Sequence, residues 1–180
     1  GLVFVGATPV DAPADKDELA WMVRIDSAGE VSWEATHGAA GDQMLNDVVR
    51  VPGLAAGFLG VGSSVGTGEL DYPNMLLVRV SESGEVLWAV EHGGTKHDEG
   101  RAIVARAAGG DAVAGHTNST GAGFDDMWLL LLDEDGGVEL ELTYGDGSNE
   151  AAFDLVELPD GGFVLTGAKG EIGGNYDPWM

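Results

Sequence analysis

The chain of 180 residues carries 31 acidic residues against 8 lysines and arginines, a formal net charge of −23, and it has no cysteine. Such a surface repels phosphate backbones and anionic headgroups, which argues against nucleic acids and polybasic membrane docking, while the missing thiols exclude disulfides, thiolate zinc sites, iron–sulfur clusters and cysteine nucleophiles. The 44% of hydrophobic residues suit a single domain, residues 1–180, with a packed core, and no apolar run reaches the ~18 residues that membrane insertion needs.

In chain order, the first β-type run is GLVFVGAT from Gly1. After a polar stretch from Thr8 to Ala20 comes WMVRIDSAGEVSWEATHG from Trp21, two strands across a short turn, and then NDVVRVPG beyond Asp42. The set begins again with GFLGVGSS from Gly57, LLVRVSESGEVLWAVEHG from Leu76 and RAIVARAAGG beyond Asp98. It begins a third time with GDAVAGHT from Gly110, WLLLLDEDGGVELELTYG from Trp128 and AAFDLVELPDGG beyond Asn149; GFVLTGAK from Gly162 and the strand reaching Trp179 open a fourth round. Three elements recurring in one order define a repeat of roughly 50 residues with four short strands, the pattern of a propeller blade. No stretch sustains an apolar 3.6-residue period, so the expectation is an all-β, helix-free chain of about fourteen antiparallel strands.

Within each unit, Gly29, Gly84 and Gly136 close the tightest hairpin and supply its positive φ. Gly6, Gly62, Gly115 and Gly167 recur in the strand that opens each round and predict close backbone approach between packed blades. Trp33, Trp88 and Leu140 share one position and Trp21, Leu76, Trp128 and Trp179 another; exchange of Trp for Leu points to packing. The expected count is four consecutive blades, the first without its inner strand and the last without its outer one. Closed rings have 4–8 blades, so the reading preferred is an interior stretch of a larger propeller, flanked by further blades of the same chain.

The strand of type W-L-V-K-L-D followed by x-x-G-x-V-x-W and a Tyr-Gly or His-Gly turn resembles the β-propeller repeats of secreted and surface proteins of bacteria and archaea. More distantly it is similar to WD40-like and quinoprotein-like (PQQ-like) propeller repeats, whose Asp-x-x-x-Gly-x-x-x-Trp spacing is approached by Asp26 to Trp33 and, in its second half, by Gly84 to Trp88. The resemblance implies blade architecture and an extracellular or cell-surface setting, and it is silent on activity.

The chemistry-bearing candidates lie in the polar loops between the first and second strands. Asp71 and Tyr72, Phe124 with Asp125 and Asp126, and Tyr176 with Asp177 pair an aromatic ring with a carboxylate, which suits carbohydrate or protein ligands; a repeated turn capped by Asp is the competing reading. Asp42, Asp98 and Asn149 stand at corresponding turns where oxygen ligands could hold Ca²⁺, but no D-x-D-x-D-G loop accompanies them, and a structural turn is the favoured reading. His37 and His92 correspond to Tyr144, whereas His97 and His116 stand alone; no two histidines have metal-ligand spacing, so no metal site, cofactor or catalytic triad is expected. The acidity itself reflects either adaptation to high salt, a halophilic surface in which repulsion is screened, or cation binding. The function expected is a non-catalytic scaffold or recognition module. The alternatives are a fragment of a propeller enzyme, such as a quinoprotein-like dehydrogenase or a polysaccharide-acting hydrolase or lyase drawing on Arg50, Arg106 and Glu157, and a structural repeat of a surface layer or stalk.

Overall fold

The structure is a computed structural model that describes residues 1–10, 17–38, 40–53, 56–66, 72–170 and 176–179. Among these it holds fourteen strands and no helix, as the alternation and turn chemistry predict. They form four antiparallel meanders in chain order. The first sheet is β1 (Leu2–Pro9), β2 (Glu18–Ile25) and β3 (Val31–His37); the second is β4 (Gln43–Val51), β5 (Gly57–Ser64), β6 (Asn74–Ser81) and β7 (Val86–His92). The third is β8 (Asp98–Ala105), β9 (Asp111–Thr117), β10 (Asp126–Leu132) and β11 (Val138–Tyr144), and the last is β12 (Asn149–Glu157), β13 (Phe163–Gly170) and β14 (Tyr176–Trp179). The sheets therefore carry three, four, four and three strands, the division that the repeat predicts.

Each sheet is apolar on both faces and packs on the next one in the chain. Val3, Val5, Ala20, Met22 and Trp33 of the first sheet meet Leu45, Phe58, Leu76, Val78 and Val80 of the second. The second sheet's other face, with Leu59, Val61, Met75 and Leu77, meets Ile103, Val113, Trp128, Leu130 and Leu132. Ala112, Ala114, Met127 and Leu129 then meet Ala152 and Leu155. Consequently β5 and β9 are buried along their whole length, as only an element covered on both faces can be.

The inner strands β4, β8 and β12 each contain a bulge at the same place, with Asn46, Arg101 and Phe153 as the extra residue. This corrects one expectation. A Cβ on Gly62, Gly115 or Gly167 would strike the carbonyl oxygen of Met44, Glu99 or Ala151, so the recurrent glycine accommodates the bulge of its own sheet rather than the neighbouring sheet. The outer tryptophans do reach across. Trp33 lies on the hairpin of the second sheet, its Nε1 donating to Glu82 O at 3.0 Å, and a Cβ on Gly84 would come within 2.8 Å of its ring. A Cβ on Gly136 of the third sheet would likewise come within 2.9 Å of the Trp88 ring. Leu140, their counterpart, is 44% exposed.

One position in these interfaces has three chemical solutions. Between the first two sheets the Arg24 guanidinium lies over the Phe58 ring at 5.8 Å. Between the second and third, Arg79 takes the place of Arg24 and Asp111 that of Phe58, both of them buried. Between the third and fourth, Leu131 and Phe163 pack together within an apolar cluster. The charged solution costs stability: Asp111 Oδ1 is buried without a hydrogen-bond partner, and burial, only partly offset by Arg79 and Arg106, pushes its carboxyl up to about 6.

Two predictions follow from this packing. Gly84 has φ +90° and Gly29 φ +88°, but a Cβ on Gly29 meets nothing within 4 Å. Gly29→Ala should therefore cost only the left-handed strain of about 1 kcal/mol, and Gly84→Ala about 3 kcal/mol because Trp33 must also move; urea unfolding of the two variants measures the difference. For Asp111 the raised folded-state pKa means that its proton is held more tightly in the folded chain, so ionisation destabilises as pH rises from about 4 through about 6. Asp111→Asn should be more stable than the parent by about 2 kcal/mol at pH 8, with the gain gone at pH 4, in urea titrations at the two pH values.

Candidate functional site

The loops joining β5 to β6, β9 to β10, β7 to β8 and β11 to β12 all emerge at one end of the sheets. Tyr72, 54% exposed, stands at this end in an open cleft of about 630 Å³ lined by His37, Gln43, Ser64, Asn74, Glu91 and Thr95 among others. Phe124 is 45% exposed at the same end of the third sheet, with Asp125 partly buried beside it. Asp126, by contrast, is 1% exposed: its Oδ2 accepts the Ala122 N–H at 2.7 Å, the turn-capping role that competed with ligand binding. Asp71 lies outside the described residues, and Tyr176 and Asp177 are described by backbone pairing alone. That pairing sets Asp177 opposite Lys169 as Met127's neighbour Asp126 is set opposite Thr117, so Tyr176 corresponds to Asp125 and the aromatic–acid pair is not in one register in the last two units.

The turn residues before the inner strands also shift by one place. Asp98 corresponds to Gln43 and Glu150, whereas Asp42 and Asn149 correspond to His97. Asp98 is fully buried and organises its turn. Its carboxylate accepts the Gly94 N–H at 2.7 Å, the Ser119 hydroxyl at 2.7 Å, the Ser119 N–H at 3.4 Å and the Thr117 hydroxyl. Asp42 Oδ1 accepts the Glu18 N–H at 3.1 Å, and Asn149 Oδ1 accepts the Asp125 N–H at 3.5 Å. These three side chains cap backbone and hydroxyl groups of turns and do not form a common ligand set.

At the opposite end of the sheets, Arg50 pairs with Glu82 at 2.7 Å and Arg106 with Glu139 at 2.6 Å. Arg50 corresponds to Ala105 and Glu157; Arg106 lies one place further on. Glu157 accepts the Ala107 N–H at 2.8 Å. The three groups suggested for an enzyme thus have separate structural partners.

The third sheet's loop end holds an arrangement that spacing did not reveal. His97 precedes β8, His116 is the penultimate residue of β9 and Asp125 precedes β10, and one ligand atom from each lies within 4.8 Å of the others. The two imidazoles meet edge to face with centroids 4.6 Å apart. His116 is 4% exposed and its Nδ1 is buried with no hydrogen-bond partner. His97 Nε2 lies 3.7 Å from Glu99 Oε2, and this carboxylate raises the His97 pKa; burial and the neighbouring His97 lower that of His116. Burial opposes the charge on Glu99, yet His97, Arg101 at 2.9 Å and Asn46 together hold its carboxyl below the usual range. Asp125 is fixed by Asn118 Nδ2, which donates to its Oδ1 at 3.2 Å, and by its peptide groups bonding to Asn149 and Glu150.

Compared with known proteins, the chain matches no protein-family model, and no curated protein is similar enough to count as a relative.

Asp98 yields a direct test of the turn assignment. Asp98→Ala strands several buried donors and should cost about 3 kcal/mol, read as a fall in the urea midpoint.

Proposed function

We propose that the four sheets are consecutive blades of a β-propeller, and that the chain serves as a non-catalytic recognition module of a secreted or cell-surface protein. Support for the blade arrangement is the sequential stacking of meanders through equivalent faces, with the inner strands β4, β8 and β12 next to one another. The observation that carries the functional reading is the Tyr72 cleft: an exposed ring over a floor of amide, hydroxyl, imidazole and carboxylate groups. Such a surface stacks on the apolar face of a sugar ring and hydrogen-bonds to its hydroxyls. The net charge of −23 argues against anionic ligands, so a neutral oligosaccharide is the ligand class favoured.

Titrating the chain with a panel of neutral oligosaccharides while following amide resonances provides the test. Binding is expected to perturb residues around Ser64, Asn74 and Thr95, and Tyr72→Ala is expected to weaken it about tenfold, or by about 1.4 kcal/mol, without lowering the melting temperature. Shifts confined to other surfaces, or no shift with any sugar and clear shifts with a basic peptide, would reject the carbohydrate reading.

A further inference from the structure

We propose that His97, His116 and Asp125 bind one divalent transition-metal ion of the zinc class. Three observations carry the site. The three ligand atoms lie within 4.8 Å of one another, and tetrahedral coordination at ~2.0–2.2 Å per bond would draw them together by modest side-chain rotations. His116 is more than nine-tenths buried, with an Nδ1 that nothing satisfies; a buried polar atom without a partner is costly unless a ligand fills the role. The third observation is the support around the cluster. Glu99, itself 6% exposed and held by Asn46 and Arg101, stands beside the His97 ring as the outer carboxylate that orients a ligating imidazole commonly does.

The donor set decides the ion. Two imidazoles and one carboxylate suit Zn²⁺, Co²⁺, Ni²⁺ or Cu²⁺; Ca²⁺ and Mg²⁺ require a shell of oxygens. The local charge is favourable, since Asp125 and Glu99 together outweigh Arg101. Three protein ligands leave a fourth position for water or for an oxygen of a docked ligand. The ion would tie together the segment before β8, the end of β9 and the segment before β10, at the end of the molecule where the Tyr72 cleft opens.

The test uses the whole chain with ZnCl₂ as the probe. Calorimetry is expected to show one equivalent bound, with a rise in melting temperature. Co²⁺ should give the visible absorption of an ion with nitrogen ligands, and millimolar Ca²⁺ should not displace it. In the unmutated chain, Zn²⁺ should shift the ring resonances of two of the four histidines, His97 and His116, leaving His37 and His92 in place. His116→Ala and the near-isosteric Asp125→Asn should each weaken Zn²⁺ binding by roughly a hundredfold. Displacement by Ca²⁺ would overturn the proposal, since it would locate the ion on exposed carboxylates of this acidic surface. So would absence of the two histidine shifts in the unmutated chain at millimolar Zn²⁺, a readout that does not depend on any variant folding.

Discussion

The interlock between the inner strands of the second and third sheets is the contact on which the rest of the molecule depends. An inner strand pairs on one edge only, and its other edge presents N–H and C=O groups that must find partners. The bulge in β4 meets this need by turning Asn46 and Asp47 towards β8: Asn46 Nδ2 donates to Gly100 O and to Glu99 Oε1, both at 2.8 Å, and Asp47 Oδ2 accepts the Ile103 N–H at 2.9 Å. These bonds set the spacing of the two sheets and with it the fit of the apolar faces outside them. They also fix Glu99, whose carboxylate stands beside His97, so the geometry of the histidine cluster is inherited from the strand-to-strand contact.

The interlock is not copied unchanged from one unit to the next. Ala102 occupies in β8 the place of Asp47, and the third and fourth sheets are joined by Asn149 and Glu157 side chains accepting backbone N–H groups. Arg–Phe, Arg–Asp and Leu–Phe at one interface position show the same freedom. Backbone geometry is what the units share; the side-chain chemistry at equivalent places has drifted wherever a different pair filled the same volume.

That distinction explains what the sequence revealed. Strand alternation and the hairpin glycines act over a few residues, so the fourteen strands and their grouping into units were readable from local pattern. The bulges were not. Nor was the exact register between units: Asp98 matches Asp42 by residue type, although strand pairing makes Asp98 the counterpart of Gln43 and Asp42 that of His97. Tyr72 stands out by its loop, since loops gather at one end of a meander; the cleft beside it was not legible, because its lining comes from three other segments. The meeting of His97, His116 and Asp125 had no sequence signal, because the residues come from three segments of one unit and no spacing between them corresponds to a turn of helix or an alternation of strand. The nearest hint was that His97 and His116 were the two histidines without counterparts in the other units.

Sequential stacking also governs how such a molecule comes apart. Each sheet draws its substantial packing from its chain neighbours, and within a sheet each strand pairs with the one before or after it. Cooperativity in an array of this kind is a nearest-neighbour property. The wholly buried β5 and β9 mark the region whose opening requires losing two interfaces at once, whereas the outer strand β11, exposed along most of its length, loses little by detaching. Amide hydrogen exchange should therefore run as a gradient, slowest through the middle of the second and third sheets and fastest at the outer strands, in place of one global opening.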